Sequence, residues 1–160
     1  MKRVTIGLST SRRWNPFSAL IKRWWGTSYS HFFIKWNTPW GFEEILEASS
    51  GSLHMISQAW WKKKNRVIME VSIDITRSQW GQLMTEIRGQ SGAPYSWKQI
   101  GGIMLRELFQ LSRNPVPDSR GWICSEVGAH FIEILGQSTG KDREDVTPYD
   151  IEKFILDKLK

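Results

Sequence analysis

The hydrophobic period of the chain changes partway along, and that change constrains its fold more than any other feature. Val67, Met69, Val71, Ile73 and Ile75 recur at every second position, the period of a half-buried strand. Val4, Ile6 and Leu8 do the same near the start. Residues 29–36 and 44–49 are rich in aromatic and β-branched side chains and read as two more strands, joined by a turn at 37–41 that holds Asn, Pro and Gly. A further strand is read over 53–58. Beyond Ser78, a candidate cap, the period becomes helical. Trp80, Leu83, Met84 and Ile87 form one stripe, Trp97, Ile100, Ile103, Met104, Leu108 and Leu111 a second, and Cys124, Val127, Phe131 and Leu135 a third within a helix read over 122–135. Asn15-Pro16 and Gly26 bracket an earlier helix at 16–25, and Thr147-Pro148 opens a last one that runs to Leu159. Strands gather in the first half and helices in the second. This segregation predicts an α+β fold, an antiparallel β-sheet packed against helices, rather than alternating β/α units. No repeat or linker divides residues 1–160, so a single domain is expected.

Cysteine usage narrows the chemistry. The sequence holds one Cys and 3 His. An intramolecular disulfide and a Cys-rich structural zinc site are excluded, and the histidines show no short ligand spacing, so neither metal nor cofactor is expected. The apolar stretch at the start is short and is interrupted by Arg12, Arg13 and Trp14, which does not read as a signal sequence. No run of about 18 apolar residues suggests a membrane span. The reading is a protein that begins in the cytoplasm.

The lone cysteine follows Pro117, Asp118 and Gly121 at the start of a helix. There the helix dipole and unpaired N–H groups favour a thiolate and can hold an oxyanion. The alternative is a small buried hydrophobe on the inward stripe. His31 lies within a strand. A hairpin centred near Pro39 would set it opposite Glu47, with opposed Cβ atoms about 4.5–5.5 Å apart, the relation of a base and the carboxylate that orients it. A cross-strand polar pair on a wet face is the plainer reading. His54 is a second candidate for orienter. His130 is read as structural.

Four segments, in order, resemble one superfamily. Thr27-Ser28-Tyr29-Ser30-His31 is similar to its entry to the histidine strand, Ile45-Leu46-Glu47-Ala48 to the strand with the third polar residue, Gly92-Ala93-Pro94-Tyr95-Ser96-Trp97 to the segment opening the middle helix, and Trp122-Ile123-Cys124-Ser125-Glu126-Val127 to the nucleophile helix. Thr147-Pro148-Tyr149-Asp150 resembles a recurrent late element. The chain thus resembles the circularly permuted branch of the NlpC-type papain-like cysteine hydrolases, which includes YiiX-like hydrolases and lecithin:retinol acyltransferase-like enzymes. Histidine before cysteine marks the permutation. The resemblance implies Cys124 as nucleophile, His31 as general base and acid, Glu47 as orienter, and a thioacyl-enzyme resolved by water or another acceptor. It implies a cell-wall (peptidoglycan) peptide amide in a bacterial or phage setting as substrate, with a lipid ester or acyl transfer at a membrane as the alternative.

The formal net charge is +6 and the chain has 10 Trp. Trp60-Trp61-Lys62-Lys63-Lys64 sets aromatics beside cations, which suits an anionic membrane or cell-wall surface. The bland reading is a solvated loop with both rings folded onto the body. Tyr29, Tyr95, Trp25, Trp60 and Trp61 are the candidate substrate or surface contacts. Nucleic acid is not the expected partner. A noncatalytic binding module with an incidental Cys124 is the rival to an enzyme.

Overall fold

The computed structural model describes residues 1–49, 51–118 and 120–159. Among these residues, five strands form one antiparallel sheet and six α-helices surround it. The strands are β1 (Lys2–Ser11), β2 (His31–Asn37), β3 (Glu43–Ser49), β4 (Ser52–Ser57) and β5 (Asn65–Ile75), in the order β4-β3-β2-β1-β5. The helices are α1 (Pro16–Trp25), α2 (Gln58–Lys64), α3 (Arg77–Gln90), α4 (Trp97–Phe109), α5 (Cys124–Ile134) and α6 (Pro148–Lys158).

Local chemistry explains the boundaries. Asn15 caps α1 by accepting from the Phe17 and Ser18 amides at 2.9 and 3.2 Å, and Gly26 ends it at φ 65°. The cap of α3 is Thr76 rather than Ser78, because Thr76 and Gln79 exchange hydrogen bonds between side chain and backbone. Helix α5 starts at Cys124, where its apolar stripe begins and two residues later than the range of 122–135 read from sequence. Trp122 is extended: its amide donates to Pro94 O at 2.9 Å and its carbonyl accepts from Ser96 at 3.1 Å. Residues 58–64 form a helix, not a loop. Seven residues are too few to show a period, and buried Trp61 is what seats them.

The β2–β3 register differs from expectation. Phe33, not His31, lies opposite Glu47. The turn closes through Thr38 N to Phe42 O at 2.8 Å, with Gly41 at φ 82°, so the hairpin centres on Trp40 instead of Pro39. The slip is two residues along one strand, and an even slip keeps every side chain on its face. His31, Phe33 and Glu47 therefore still share one.

The two faces bury different clusters. Val4, Ile6, Leu8, Phe32, Ile34, Leu46 and Ala48 meet Val127 and Phe131 of α5 and Ile151 and Ile155 of α6 in the main core. Phe33 and Ile45 meet Trp61 of α2 on the other face, with the Phe33 and Trp61 rings 4.8 Å apart. Gly7 lies opposite Phe33, and a Cβ there would come within 2.5 Å of the Phe33 ring and 2.6 Å of the Met69 carbonyl. Gly7→Ala should accordingly cost about 1–3 kcal/mol, the usual cost of overpacking, measured by urea unfolding.

Candidate active site

Four pieces of chain converge where β2 begins. The first is the N-terminus of α5. Its N-cap is Ile123, which has no side-chain acceptor, so the first-turn amides are not capped by a side chain. The Cys124 and Ser125 amides instead bear on the Cys124 thiol. Sγ lies 3.7 Å from Ser30 O and also meets the Phe32 amide, the two residues flanking His31. The thiol is buried at 4% exposure. Burial pushes its pKa up, and the nearby amides and Tyr95 oppose that rise only in part.

The second piece is residues 93–96. Leu53 N donates to Ala93 O and Tyr95 N to Gly51 O, both at 2.9 Å, which fastens this segment to the β4 edge. Tyr95 also bridges to Trp122. Two residues past Trp122 comes Cys124, so the pairing sets the Tyr95 phenol against the thiol. The Tyr95 hydroxyl is buried and makes no hydrogen bond within ordinary geometry. Burial, then Cys124, push its ionisation well above the usual range, so it stays a neutral donor.

The third piece is His31. By alternation its side chain falls on the face opposite the one that α5 covers, at the first residue of the strand. The thiol and the imidazole are thus arranged around the end of β2 rather than across one sheet face. His31 Nδ1 is buried without a partner. Burial lowers the His31 pKa, Glu47 opposes that, and Lys22 reinforces it.

The fourth piece is Glu47, itself buried. Oε1 accepts from Ser49 Oγ at 2.7 Å and Oε2 from Trp61 Nε1 at 2.6 Å. The residue directly across the β3–β4 ladder is His54, whose Nε2 is 3.7 Å from Oε1, while its Nδ1 is 3.0 Å from Ser52 O. Glu47 thus makes direct contact with His54, and it reaches His31 through its charge and not through a hydrogen bond.

His31, Glu47, Ser49, His54, Trp60 and Tyr95 line one cavity of about 350 Å³, closed on its other sides by α1, Lys64, Asn65 and Trp97. Cys124 is not among its lining residues. Three sequence assignments change. Tyr29 is 1% exposed and donates to Glu152 at 2.8 Å, so it is a strut and not a contact for substrate. Trp61 is equally buried, because its indole N–H is committed to Glu47. Trp25 is partly buried and donates to Glu107 at 3.0 Å. Trp60 is exposed, with Lys64 Nζ 3.5 Å over its ring, and lies at the cavity. His130 sits between Glu86 and Glu133 at 3.5 Å each, away from this cavity.

The network of the site missed in sequence is Ser49 and Trp61 on Glu47. Period-two alternation puts Ser49 on the Glu47 face, but nothing in the sequence brings α2 back over the sheet. Glu126, in the nucleophile-like segment, is a further surprise. It is buried, accepts from Ile123 N at 3.0 Å, and burial pushes its carboxyl up to about 7. A carboxyl raised in the folded state leaves stability intact below about pH 4.5 and loses it progressively as pH rises toward 7. Glu126→Gln keeps an acceptor for Ile123 and should raise stability above pH 7 by roughly 2–3 kcal/mol while changing little at pH 4. Thermal unfolding across that window checks this.

Among the described residues, no group of three or more His, Cys, Asp or Glu side chains could hold a metal ion, and no helix is long and apolar enough to cross a membrane. No protein-family model matches the chain, and no curated protein is significantly similar to it in sequence.

Proposed function

We propose that the protein is a cysteine hydrolase of the permuted papain-like kind, acting on an amide through a thioacyl-enzyme. The observation that supports this most is the meeting of the α5 N-terminus, whose Cys124 and Ser125 amides have no side-chain cap, with the main chain on both sides of His31, while His31, Glu47 and Tyr95 open on one cavity. Burial raises the thiol and lowers the imidazole, so the resting pair is a neutral thiol and a neutral imidazole. His31 then acts as a general base. It takes the Cys124 proton as sulfur attacks the carbonyl carbon, and returns it to the departing amine. Water, losing a proton to His31, attacks the thioester, releases the acid and restores the thiol.

The developing oxyanion needs donors. The Cys124 amide is one. Tyr95 is assigned as the second, because its buried hydroxyl faces the Cys124 thiol and makes no hydrogen bond of ordinary geometry. Tyr95→Phe should lower kcat about 10²-fold, the usual loss on removing one such donor, with KM little changed. Glu47, held by two hydrogen bonds, is a positioning residue for His31.

The polar lining of Ser11, Asn15, His54 and Asn65 suits a peptide substrate, and a cell-wall peptide amide is the leading class. An acyl ester presented at a membrane is the second reading. A small apolar groove between α1 and α4, lined by Phe17, Leu20, Trp97, Ile100 and Met104, favours it, since Phe17 and Trp97 also line the polar cavity. The test is covalent labelling by a peptidyl acyloxymethyl ketone, read by intact mass. One adduct on Cys124, lost in His31→Ala, is expected. Equal labelling of wild type and His31→Ala, or labelling only after denaturation, would refute an activated nucleophile and leave a binding module.

A further inference from the structure

Helices α1 and α4 run side by side in the same direction. Phe17 stacks on Trp97 at their first turns, with ring centroids 4.1 Å apart. Trp24 and Trp25 both donate to Glu107 at their last turns, at 2.8 and 3.0 Å. Each helix buries one stripe and leaves a second apolar stripe exposed. On α1 these are Phe17, Leu20 and Trp24, and on α4 they are Trp97, Leu105, Leu108 and Phe109, between 39% and 64% exposed. Spacings of three and four residues put the α1 set on one helix face, and at about 100° per residue the α4 set falls within an arc of about 120°. Trp14, 83% exposed, precedes α1, and Leu111 follows α4. Isolated surface hydrophobes are ordinary, but a contiguous two-helix patch of this kind marks an interaction surface.

Charge decides the occupant. Residues 12–25 contain Arg12, Arg13, Lys22 and Arg23 and no acid, and residues 97–113 contain Lys98, Arg106 and Arg113 with Glu107 alone opposed to them. Glu107 is already held by the two indoles. Among the described residues, Arg13, Arg23, Lys98 and Arg113 have no acidic partner within 4.0 Å. A second copy would bring the same cations against these. A bilayer with anionic headgroups neutralises them while taking up the aromatic and aliphatic side chains at its interface.

We propose that the α1–α4 face docks on an anionic phospholipid bilayer, with the Phe17–Trp97 pair placing the mouth of the polar cavity at the membrane surface. This displaces the Trp60–Lys64 segment as the membrane-facing feature, since Trp61 points inward. The proposal does not rest on Cys124 as nucleophile, and Cys124→Ala is expected to bind membranes as wild type does.

The test is sedimentation with phosphatidylcholine vesicles, with and without about 30% phosphatidylglycerol, at low and at physiological salt. Binding should tighten at least tenfold with the anionic lipid and weaken as salt rises. Leu20→Glu/Leu108→Glu alters only exposed positions, and should lose about tenfold or more with an unchanged circular dichroism spectrum. Trp40→Glu/Phe42→Glu alters the more exposed aromatics of the β2–β3 turn and should bind normally. Equal binding to both vesicle types would overturn the proposal, as would loss in the turn variant instead of the helix variant. So would a dimer by light scattering that Leu20→Glu/Leu108→Glu splits, without vesicle binding in wild type.

Discussion

His31→Ala should reduce kcat/KM for hydrolysis of a p-nitrophenyl ester by about 10³-fold or more, with no comparable loss of stability. Under the proposed mechanism, a Cys124 thiol whose pKa is pushed up by burial has little thiolate of its own at neutral pH, so the whole activation would fall to His31. Glu47→Gln isolates the second role. The Glu47 charge raises the His31 pKa, against burial and Lys22, which lower it. Removing that charge should move the acid limb of the pH profile of kcat/KM to lower pH, while the rate falls by far less than in His31→Ala. A carboxylate that only braces β3 would alter stability and leave the acid limb where it was. Rescue of rate but not of the limb in Glu47→Gln relative to Glu47→Ala would separate packing from field.

The parts of this site that were legible in the sequence are those fixed by local chemistry. Asn15-Pro16 and Thr147-Pro148 start helices because their side chains satisfy amides within the next turn, and no tertiary information is needed. The strand alternation fixed which residues share a face. It therefore kept His31 and Glu47 together even though the turn centre moved by one residue. What local pattern cannot supply is the path of short elements. Helix α2 is one of these, and its Trp61 holds the site carboxylate from above the sheet. The extended pairing of Trp122 with Pro94 and Ser96 is another, and it brings Tyr95 to Cys124. Both depend on contacts between residues far apart in the chain. His54 shows the same limit: its place across from Glu47 follows from the β3–β4 register, not from its own neighbours.

Trp61→Ala should be the most destabilising single substitution on the α2 side of the sheet. The side chain is 1% exposed, packs against the Phe33 ring at a tilt of 54° and donates to Glu47. Truncating a buried Trp costs about 3–5 kcal/mol through lost burial and the cavity left behind. Stranding one carboxylate oxygen without its donor adds roughly 1–3 kcal/mol. Against a typical domain stability of about 5–15 kcal/mol, the variant should be largely unfolded or sharply lowered in Tm. Trp61→Phe separates the two contributions. It keeps an aromatic ring against Phe33 and removes the indole N–H, so the charged hydrogen bond is most of what is lost. A double-mutant cycle of Trp61→Phe with Glu47→Gln, measured by urea unfolding, should return a coupling of about 1.5–3 kcal/mol. A coupling near zero would mean that the 2.6 Å contact holds no net energy and that α2 is seated by packing alone. The same variant connects the fold to the chemistry. Once Oε2 is released from the indole, the carboxylate is restrained only by Ser49 and His54, and its charge is no longer fixed in place beside His31. Trp61→Phe should therefore lose activity at temperatures well below its own unfolding transition, whereas Gly7→Ala, which strains the same cluster without touching Glu47, should lose activity only as it unfolds.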